Sequence, residues 1–481
     1  MVRWGGAKGI LTLLATAMIA CTQESAPTAQ GATGMTVSSA SAVSGTMPLA
    51  HTCDGDGTSP PISWTGAPAG TVQYALLLST AAPGGVTKYN WVLYGIPGAT
   101  TSVVAGGTVG TVGFADDGGG LGYAAPCSQG PGLKQYTITV YALSAPPTLT
   151  GLSPSQVTGT ALRAALTPVT LASGTLTLGV TRTTAMINCG YLRQSIEPYR
   201  TVNSLAITCD STYGWFASTG IQGAHPMMHG ITATNQQVPL PQNFTGTNAW
   251  RIPLVPTIAA TKTSAVDGPI GIAINGVPIF NPCKQGGCSG PGGGDTKALG
   301  ELDLCNGHAG RADDYHYHAA PTCMMADKPT AYWDTHPLGW ALDGYAIFGY
   351  RNPDGTTATR DAICGGNTLA HQNAPTGYAY HVTEVSPYIL SCFFGVPSPD
   401  LAGQSSKFSP LRPPGTPMAA SNMSNDASAT SLALGGTSTQ SWQSGGRRYA
   451  IRYTRTSALC WRFVFLTDDV VTSTNDYCRN R

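Results

Sequence analysis

Three histidines lie close together in the sequence between positions 308 and 318. His316 and His318 alternate with tyrosines in the tetrapeptide Tyr-His-Tyr-His at 315–318, and His308 precedes them on a glycine-flanked turn. Because alternate side chains of a strand project to one face, we expect His316 and His318 on one face and both tyrosines on the other. With His308 folding back as a third ligand, the spacing predicts a metal site at these histidines.

Aspartates near these histidines are further candidates for the site. Asp303, Asp313 and Asp314 lie beside the tetrapeptide, and Asp343 begins a glycine turn further along the chain. We expect the Asp343 carboxylate to orient a ligating histidine, because metal-bound imidazoles usually donate their second N–H to such a group. His381 is the next candidate ligand.

The ligand types indicate the class of metal. Imidazoles favour zinc, copper, iron or nickel over calcium and magnesium, and copper and zinc are the favoured divalent metals for an exported protein. The Asp-rich run keeps calcium as an alternative, although it lacks EF-hand spacing. A carboxylate as fourth ligand would close the site as a structural or storage centre, whereas an open position would allow hydrolysis. Histidines that only hydrogen-bond to backbone carbonyls are the metal-free alternative.

Composition limits the remaining function classes. Charged residues make up 10% of the chain and the formal net charge is +1, so the sequence provides no general basic surface for nucleic acid. The chain has neither a GxSxG nor an HExxH motif, and the residues therefore identify no catalytic group. A metallohydrolase and a non-catalytic surface recognition protein, with a small anion or a protein as partner, both stay open as alternatives.

The N-terminus is typical of bacterial export. Arg3 and Lys8 precede an apolar run, Gly9–Ala20, which is too short to span a hydrocarbon core of about 30 Å. The run ends at Cys21, and Met18–Cys21 resembles the lipoprotein signal in which the cysteine becomes lipidated. We therefore expect a secreted or cell-envelope protein that contacts the membrane through a lipid anchor on Cys21.

Cysteine content agrees with export. The chain has 13 cysteines, and those that remain after Cys21 form an even set, which predicts disulfides in an oxidising compartment. Pairing between sequence neighbours closes short loops, so we expect disulfides at Cys305–Cys323, Cys364–Cys392 and Cys460–Cys478.

The elements that must position these residues are mainly strands. β-Branched and aromatic runs at 74–79, 90–96, 135–143 and 174–180 predict a mostly antiparallel β domain, with one short helix near 155–165 capped by Ser155. The predicted division of the chain is a signal peptide over 1–21, a tether over 22–35, a first domain over 36–183, a second domain rich in His and Cys over 184–397, a linker or long loop over 398–445, and a C-terminal β-hairpin over 446–481.

The first domain resembles a known family. Residues 53–64 (CDGDGTSPPISW), Asn90-Trp91, Ala125–Cys127 and Gly132–Tyr136 follow in the order seen in bacterial phosphatidylethanolamine-binding-protein-like domains. The resemblance implies an antiparallel β-sandwich-like fold with a small anion pocket at one end.

The residues of that pocket differ from the family pattern. The family's acidic loop is replaced by a segment that starts at Ser79, and its two pocket histidines fall at Asn90 and Lys134. Asn90 and Lys134 cannot reproduce the titration of a histidine pair, although Lys134 can attract an anion as a point charge. We expect a retained scaffold with an altered ligand pocket at Ser79, Asn90 and Lys134.

The second domain resembles the YHYH-domain family over about residues 200–397. The resemblance rests on the tetrapeptide itself and on GIAINGVPIF (271–280), LDLCNGH (302–308), GWALDGYAIFG (339–349) and Tyr380–Thr383. It implies a disulfide-stabilised, loop-rich β domain and no particular reaction. The leading hypothesis is therefore an exported, lipid-anchored protein whose second domain binds a divalent metal.

Overall fold

A computed structural model describes residues 34–265, 268–284, 287–289, 293–368, 377–403, 407–412 and 417–479. The predicted signal peptide, Cys21 and the tether up to residue 33 lie outside the described residues. The described chain is mainly β, as predicted. It divides into two compact units, one comprising residues up to Ala42, Ser59–Ala124 and Tyr136–Leu178, the other comprising Val43–Thr58, Ala125–Gln135 and the residues from Gly179 onward.

The first unit is built on a mostly antiparallel sheet. All four predicted strands, at 74–79, 90–96, 135–143 and 174–180, lie in this sheet, because their apolar side chains supply its buried faces. Its strands, in spatial order, are Thr170–Arg182, Gly132–Leu143, Gln73–Ala81, Thr87–Pro97 and Thr111–Val112. Further ladders join Thr36–Ser38, Ile62–Thr65 and Ser102–Val103, and Phe114–Ala115 with Gly120–Leu121.

The short helix of the first unit begins later than predicted. It spans Gly159–Leu166, and the Thr158 hydroxyl accepts a hydrogen bond from the Ala161 N–H at 3.1 Å. Ser155 lies instead in a 3₁₀ turn, Pro154–Gln156. Thr158 is therefore the N-cap, because it is the residue whose oxygen satisfies a free N–H of the first helical turn.

The second unit contains a long mixed sheet together with smaller ladders. The strands of the mixed sheet, in spatial order, are Gly307–Ala309, Tyr315–Tyr317, Pro278–Phe280, Pro269–Ala273, Gly339–Ala341, Ala346–Phe348, Tyr378–His381 and Gly366–Thr368. The smaller ladders join Ala206–Cys209, Tyr213–Ala217 and Trp250–Pro253, and pair Ala233–Thr234 with Met418–Ala419, Val238–Pro239 with Arg311–Asp313, and Ile258–Ser264 with Cys392–Gly395. The helices are Thr184–Ile196, Thr322–Ala326, Tyr332–Thr335 and Asp400–Gly403, with 3₁₀ turns at Leu49–His51 and Gly246–Asn248.

Residues 421–478 form a β-meander, here called the C-terminal sheet. Its strands are Ser421–Asn425, Thr437–Ser444, Arg447–Arg455, Cys460–Thr467 and Val470–Cys478. The segment 398–445, predicted as a linker or long loop, contains the first two of these strands, which bury Met423 and Asn425 on one strand and Ser438, Gln440 and Trp442 on the other. The predicted hairpin over 446–481 is accordingly part of a larger sheet.

Disulfides join strands and turns in both halves of the chain. The three predicted pairs, Cys305–Cys323, Cys364–Cys392 and Cys460–Cys478, are confirmed. The structure adds Cys53–Cys127, Cys189–Cys209 and Cys283–Cys288. Among the helices of the described residues, none has the length and apolar character needed to span a membrane.

Candidate metal centre

Two short antiparallel strands bring the histidines together. Gly307–Ala309 pairs with Tyr315–Tyr317 in a register that places His308 directly opposite His316. His318 follows the second strand, and its backbone N–H donates to the Asn306 carbonyl at 3.0 Å. We call His308, His316 and His318 the histidine cluster.

The three rings of the histidine cluster form a compact triangle. Every pair of ring centroids lies 4.8 Å apart, and the ring planes are steeply inclined to one another. The Nε2 atoms of His308 and His318 are 3.0 Å apart, and one ligand nitrogen from each of the three residues lies within 4.8 Å of the others. All three residues are buried, since the exposed fraction is 7% for His308, 7% for His316 and 2% for His318.

Hydrogen bonds at the opposite ring nitrogens orient two of the imidazoles. The His308 Nδ1 lies 3.2 Å from the Glu301 carbonyl, and the His318 Nδ1 makes a short contact with the Asn281 carbonyl. A carbonyl oxygen can only accept, so both Nδ1 atoms carry the proton and both Nε2 atoms present lone pairs. Two lone pairs 3.0 Å apart repel each other, and a bound cation would relieve that repulsion.

Protonation of an imidazole could also remove the repulsion between the lone pairs, but the surroundings of the three rings disfavour the protonated form. Burial lowers the pKa of His308 and His318 well below the usual value, and the neighbouring imidazoles lower it further. Burial also lowers the pKa of His316, to about 3. The three rings are therefore neutral at pH 7, which is the form that ligates metals.

Asp314 and Phe280 hold the third ring. The Asp314 carboxyl oxygen Oδ2 lies 3.1 Å from the His316 Nδ1, and the Phe280 ring stacks on the imidazole at 3.9 Å between centroids. Burial raises the pKa of Asp314 to about 8. A cation held by the histidine cluster would favour the ionised carboxylate, which then accepts the His316 Nδ1–H.

The tyrosines of the tetrapeptide point into the core on the opposite face. The Tyr315 hydroxyl donates to Asp303 Oδ2 at 2.8 Å, and the Tyr317 hydroxyl lies 2.6 Å from the His225 Nε2. Both tyrosines are completely buried. The tetrapeptide therefore presents a polar face for a ligand and an aromatic face that anchors the strand.

Asp303 is a positioning residue that sequence reasoning did not assign a role. Its Oδ1 accepts the backbone N–H groups of Cys305 and Gly307, both at 2.9 Å, and its Oδ2 accepts the Met228 N–H at 2.8 Å. These bonds shape the turn that leads into His308 and connect that turn to Tyr315. A buried acid followed by Asn-Gly, as in LDLCNGH, is the local signal for this role.

Asp343 and His381 lie outside the histidine cluster, which corrects the expectation that they serve it. The Asp343 carboxylate accepts the Tyr380 hydroxyl at 2.5 Å and the Gly395 N–H at 2.9 Å. The His381 Nδ1 donates to the Gly349 carbonyl at 3.0 Å. The parallel pairing of Ala346–Phe348 with Tyr378–His381 places Tyr380 and His381 beside the strand that follows Asp343. The carboxylate that lies against a ring of the histidine cluster is therefore that of Asp314, not that of Asp343.

The buried Asp343 predicts a pH dependence of stability. Burial raises its pKa to about 6, whereas the unfolded chain releases the proton near 3.9. Between these values the folded state binds more protons, so the free energy of unfolding falls as pH rises, by up to about 3 kcal/mol. In urea unfolding of metal-free protein at pH 4, 5 and 6.5, the difference in unfolding free energy between the wild type and Asp343→Asn should therefore change in favour of the variant as pH rises. Parallel curves would contradict the assignment.

A second group of potential ligands is not a metal site. His225 lies near Cys305 and Cys323, but these two cysteines form a disulfide. Their sulfurs are therefore unavailable as thiolate ligands. The His225 Nδ1 donates to the Pro226 carbonyl at 2.9 Å, and the ring supports Tyr317.

The pocket residues expected in the first domain lie on three strands. Asn90, on Thr87–Pro97, is completely buried, and its Nδ2 donates to Asp117 Oδ2 at 2.7 Å and to the Ala124 carbonyl at 3.1 Å. Ser79 lies on Gln73–Ala81, and its hydroxyl is 3.5 Å from the Thr137 carbonyl. Lys134 lies on Gly132–Leu143.

The chain is similar to two known families. Residues 37–180 match the phosphatidylethanolamine-binding protein family, and residues 249–377, which include the histidine cluster, match the YHYH protein family. A UPF0098 protein of Methanothermobacter thermautotrophicus is 34% identical over 105 residues, which cover 21% of this chain and 69% of that protein. The putative lipoprotein LppC of Mycobacterium tuberculosis is 32% identical over 116 residues, 23% of this chain and 57% of that protein.

Solved structures are also similar to part of the chain. A putative phosphatidylethanolamine-binding protein homologue from Chlamydia trachomatis is 21% identical, with a TM-score of 0.28, and the match covers 31% of this chain and 99% of that one. YbcL of Escherichia coli is 23% identical, with the same TM-score of 0.28 and the same shares of both chains covered.

Proposed function

Because this chain belongs to the phosphatidylethanolamine-binding protein family through residues 37–180 and carries a YHYH protein segment at 249–377, we propose that it is an exported, lipid-anchored protein that binds a divalent metal in the YHYH segment. His308, His316 and His318 are the ligands, through their Nε2 atoms. Zinc and copper are the metals that a set of three neutral imidazoles favours.

One observation carries this proposal. The His308 and His318 Nε2 atoms meet at 3.0 Å while both Nδ1 atoms are committed to backbone carbonyls. Histidines that served only to satisfy carbonyls would have no reason to place their remaining lone pairs against each other. The low exposure of the rings favours a closed structural, storage or transfer site over the metallohydrolase alternative, which needs an open coordination position.

Export and anchoring rest on separate observations. Cys21 follows a basic start and a short apolar run, a relative is named as a putative lipoprotein, and the paired cysteines suit an oxidising compartment. Metabolic labelling with an alkyne fatty acid should mark the wild type and not Cys21→Ser. Equal labelling of both would exclude Cys21 as the lipidated residue.

Metal analysis tests the central proposal. Full-length protein purified without a His-tag should retain close to one zinc or copper per chain after dialysis against buffer, as measured by plasma mass spectrometry. Protein stripped with a chelator should rebind the metal with the same stoichiometry. Failure to retain or rebind any transition metal would refute the proposal.

Asp314 should tune the affinity of the site for metal. Asp314→Asn keeps an oxygen near the His316 Nδ1 but removes the negative charge that supports the ligand. Loss of an outer-shell partner of this kind weakens metal affinity by about 10- to 100-fold. Competition titrations with a chromophoric chelator should show this loss, whereas Asp313→Asn, a neighbour with no hydrogen bond to a ring of the cluster, should show a smaller one. Equal affinities for both variants would contradict the role given to Asp314.

The Cys305–Cys323 disulfide encloses the whole histidine cluster in its loop. The Cys305→Ser/Cys323→Ser variant should lose about 3 kcal/mol of unfolding free energy and bind metal more weakly, because the ligand-bearing strands gain freedom. Cys460→Ser/Cys478→Ser is a matched control, since both bridges have a sequence separation of 18. Denaturant unfolding should show similar losses for the two variants, and only the first should weaken metal binding; equal metal affinities would contradict the prediction.

A further inference from the structure

A cavity of about 360 Å³ lies beside the C-terminal sheet. Its lining includes two arginines, Arg311 and Arg412, the rings of Tyr449 and Tyr477, and the amide of Asn475. We call it the arginine cavity. Its volume is within the range of small-molecule sites.

Neither arginine of the cavity has an acidic partner among the described residues. The Arg412 Nη1 donates to the Gln236 carbonyl at 2.9 Å, and the Arg311 Nη1 donates to the Asn235 carbonyl at 3.1 Å. The Arg311 Nε is buried and has no acceptor among the described residues. The cavity thus holds two guanidinium groups whose charge is balanced by no carboxylate of the described chain.

Three surface arginines of the C-terminal sheet are paired differently. Within the described chain, the guanidinium groups of three exposed arginines each contact an aspartate: Arg447–Asp468, Arg448–Asp469 and Arg462–Asp476. Arg412, which is buried, and Arg311, which is half-buried, lack such a partner among the described residues, although burial makes an uncompensated charge more costly. Two unpaired guanidinium groups that line one cavity are expected where an anionic ligand supplies the counter-charge.

The electrostatics and packing of Arg412 agree with an anion site. Burial and the neighbouring Arg311 lower the pKa of Arg412 to about 10, so an added negative charge would stabilise the pair. The Arg412 guanidinium lies over the rings of Phe465 at 4.7 Å and Phe463 at 5.3 Å. This stacking fixes the plane of the guanidinium before a ligand binds.

The remaining walls suit a ring that carries hydroxyl groups. Tyr449 is stacked parallel to Trp442 at 5.5 Å, and Tyr477 provides a further aromatic surface. Ser473 and Asn475 add a hydroxyl and an amide to the lining. An aromatic platform with a few polar groups binds rings in a fixed orientation.

We propose that the arginine cavity binds a sugar-sized ring that bears an oxyanion, either a carboxylate or a phosphate. Arg311 and Arg412 hold the oxyanion, the aromatic walls contact the ring, and Asn475 contacts its hydroxyl groups. This site is separate from the proposed metal centre and does not depend on a bound metal.

Calorimetric titration of the full-length protein in detergent tests this site. Glucuronate and glucose 6-phosphate are the carboxylate and phosphate probes, and glucose and inorganic phosphate control for the ring and the anion alone. At least one anionic sugar should bind at least tenfold more tightly than glucose and than inorganic phosphate. The absence of binding by both anionic sugars at 10 mM, or equal binding of neutral glucose, would overturn the proposal.

Variants connect the binding to the cavity. Arg311→Gln and Arg412→Gln should each weaken binding at least tenfold, whereas Arg462→Gln removes the same charge from an exposed pair and should leave binding within twofold. Asn475→Asp places a carboxylate in the cavity, so it should abolish binding while leaving the melting temperature unchanged or higher. Wild-type binding by Arg412→Gln or by Asn475→Asp would overturn the proposal, even where another variant fails to fold.

Discussion

Replacing His318 with alanine is expected to weaken zinc or copper binding more than a hundredfold. The His318 Nε2 lies 3.0 Å from the His308 Nε2, and its removal leaves two ligands of the three. Loss of an outer-shell partner already costs about 10- to 100-fold in affinity, and loss of a direct ligand must exceed that. Chelator competition at pH 7 measures the change.

The same variant separates a metal site from a purely structural cluster. In the metal-free protein, His318→Ala lowers the unfolding free energy because a buried ring is lost. The variant also removes the repulsion between two opposed lone pairs, which offsets part of that loss. Metal at 100 times its dissociation constant stabilises the wild type by about 2.7 kcal/mol, and the variant should show no such gain under the same conditions. His336→Ala is the control, since His336 stacks on Tyr332 outside the cluster. An equal metal-induced rise in melting temperature for wild type and His318→Ala would contradict the ligand assignment.

Replacing Asp303 with alanine should produce the largest loss of stability. Its buried carboxylate accepts three backbone N–H groups and the Tyr315 hydroxyl. Once the carboxylate is gone, these donors remain buried without an acceptor, and breaking a buried charged network of this kind costs about 3 to 5 kcal/mol. The turn before His308 also loses its support, so metal affinity should fall together with stability.

Asp361 is a matched control for Asp303. It likewise accepts three backbone N–H groups and a tyrosine hydroxyl, that of Tyr378 at 2.8 Å, but it is less buried and lies outside the cluster. Asp361→Ala should therefore cost less unfolding free energy and leave metal affinity unchanged. Urea unfolding and chelator competition check both effects. A smaller loss of stability in Asp303→Ala than in Asp361→Ala would contradict the positioning role.

The local part of the site was predictable from the sequence. Alternation in Tyr-His-Tyr-His indicates which side chains share a face, and the short spacing to His308 allows it to fold back toward them. His308 was expected on a glycine-flanked turn, whereas it lies on the strand Gly307–Ala309, opposite His316. The three predicted disulfides could also be predicted from the sequence, because each joins two cysteines that are near each other in the chain and closes a short loop.

The contacts that depend on distant segments were not predictable. An acid at a glycine turn was expected to serve the histidines, but Asp343 is bound by Tyr380 and Gly395, which only the sheet pairing brings to it. Arg311 and Arg412 line one cavity although many residues separate them in the sequence. The polar strands of the C-terminal sheet resemble a linker in composition, because one of their faces is solvated. Their other face also carries polar side chains, such as the buried amide of Gln440, which is hydrogen-bonded to Asn425 and to the Gln237 carbonyl.

X-ray absorption spectroscopy of the zinc-loaded protein tests the central claim most directly. The proposal predicts a first shell of nitrogen or oxygen at about 2.0–2.1 Å, with outer-shell scattering from three imidazoles that falls to two in His318→Ala. A shell containing sulfur at about 2.3 Å, or one without imidazole scattering, would contradict a metal centre at His308, His316 and His318.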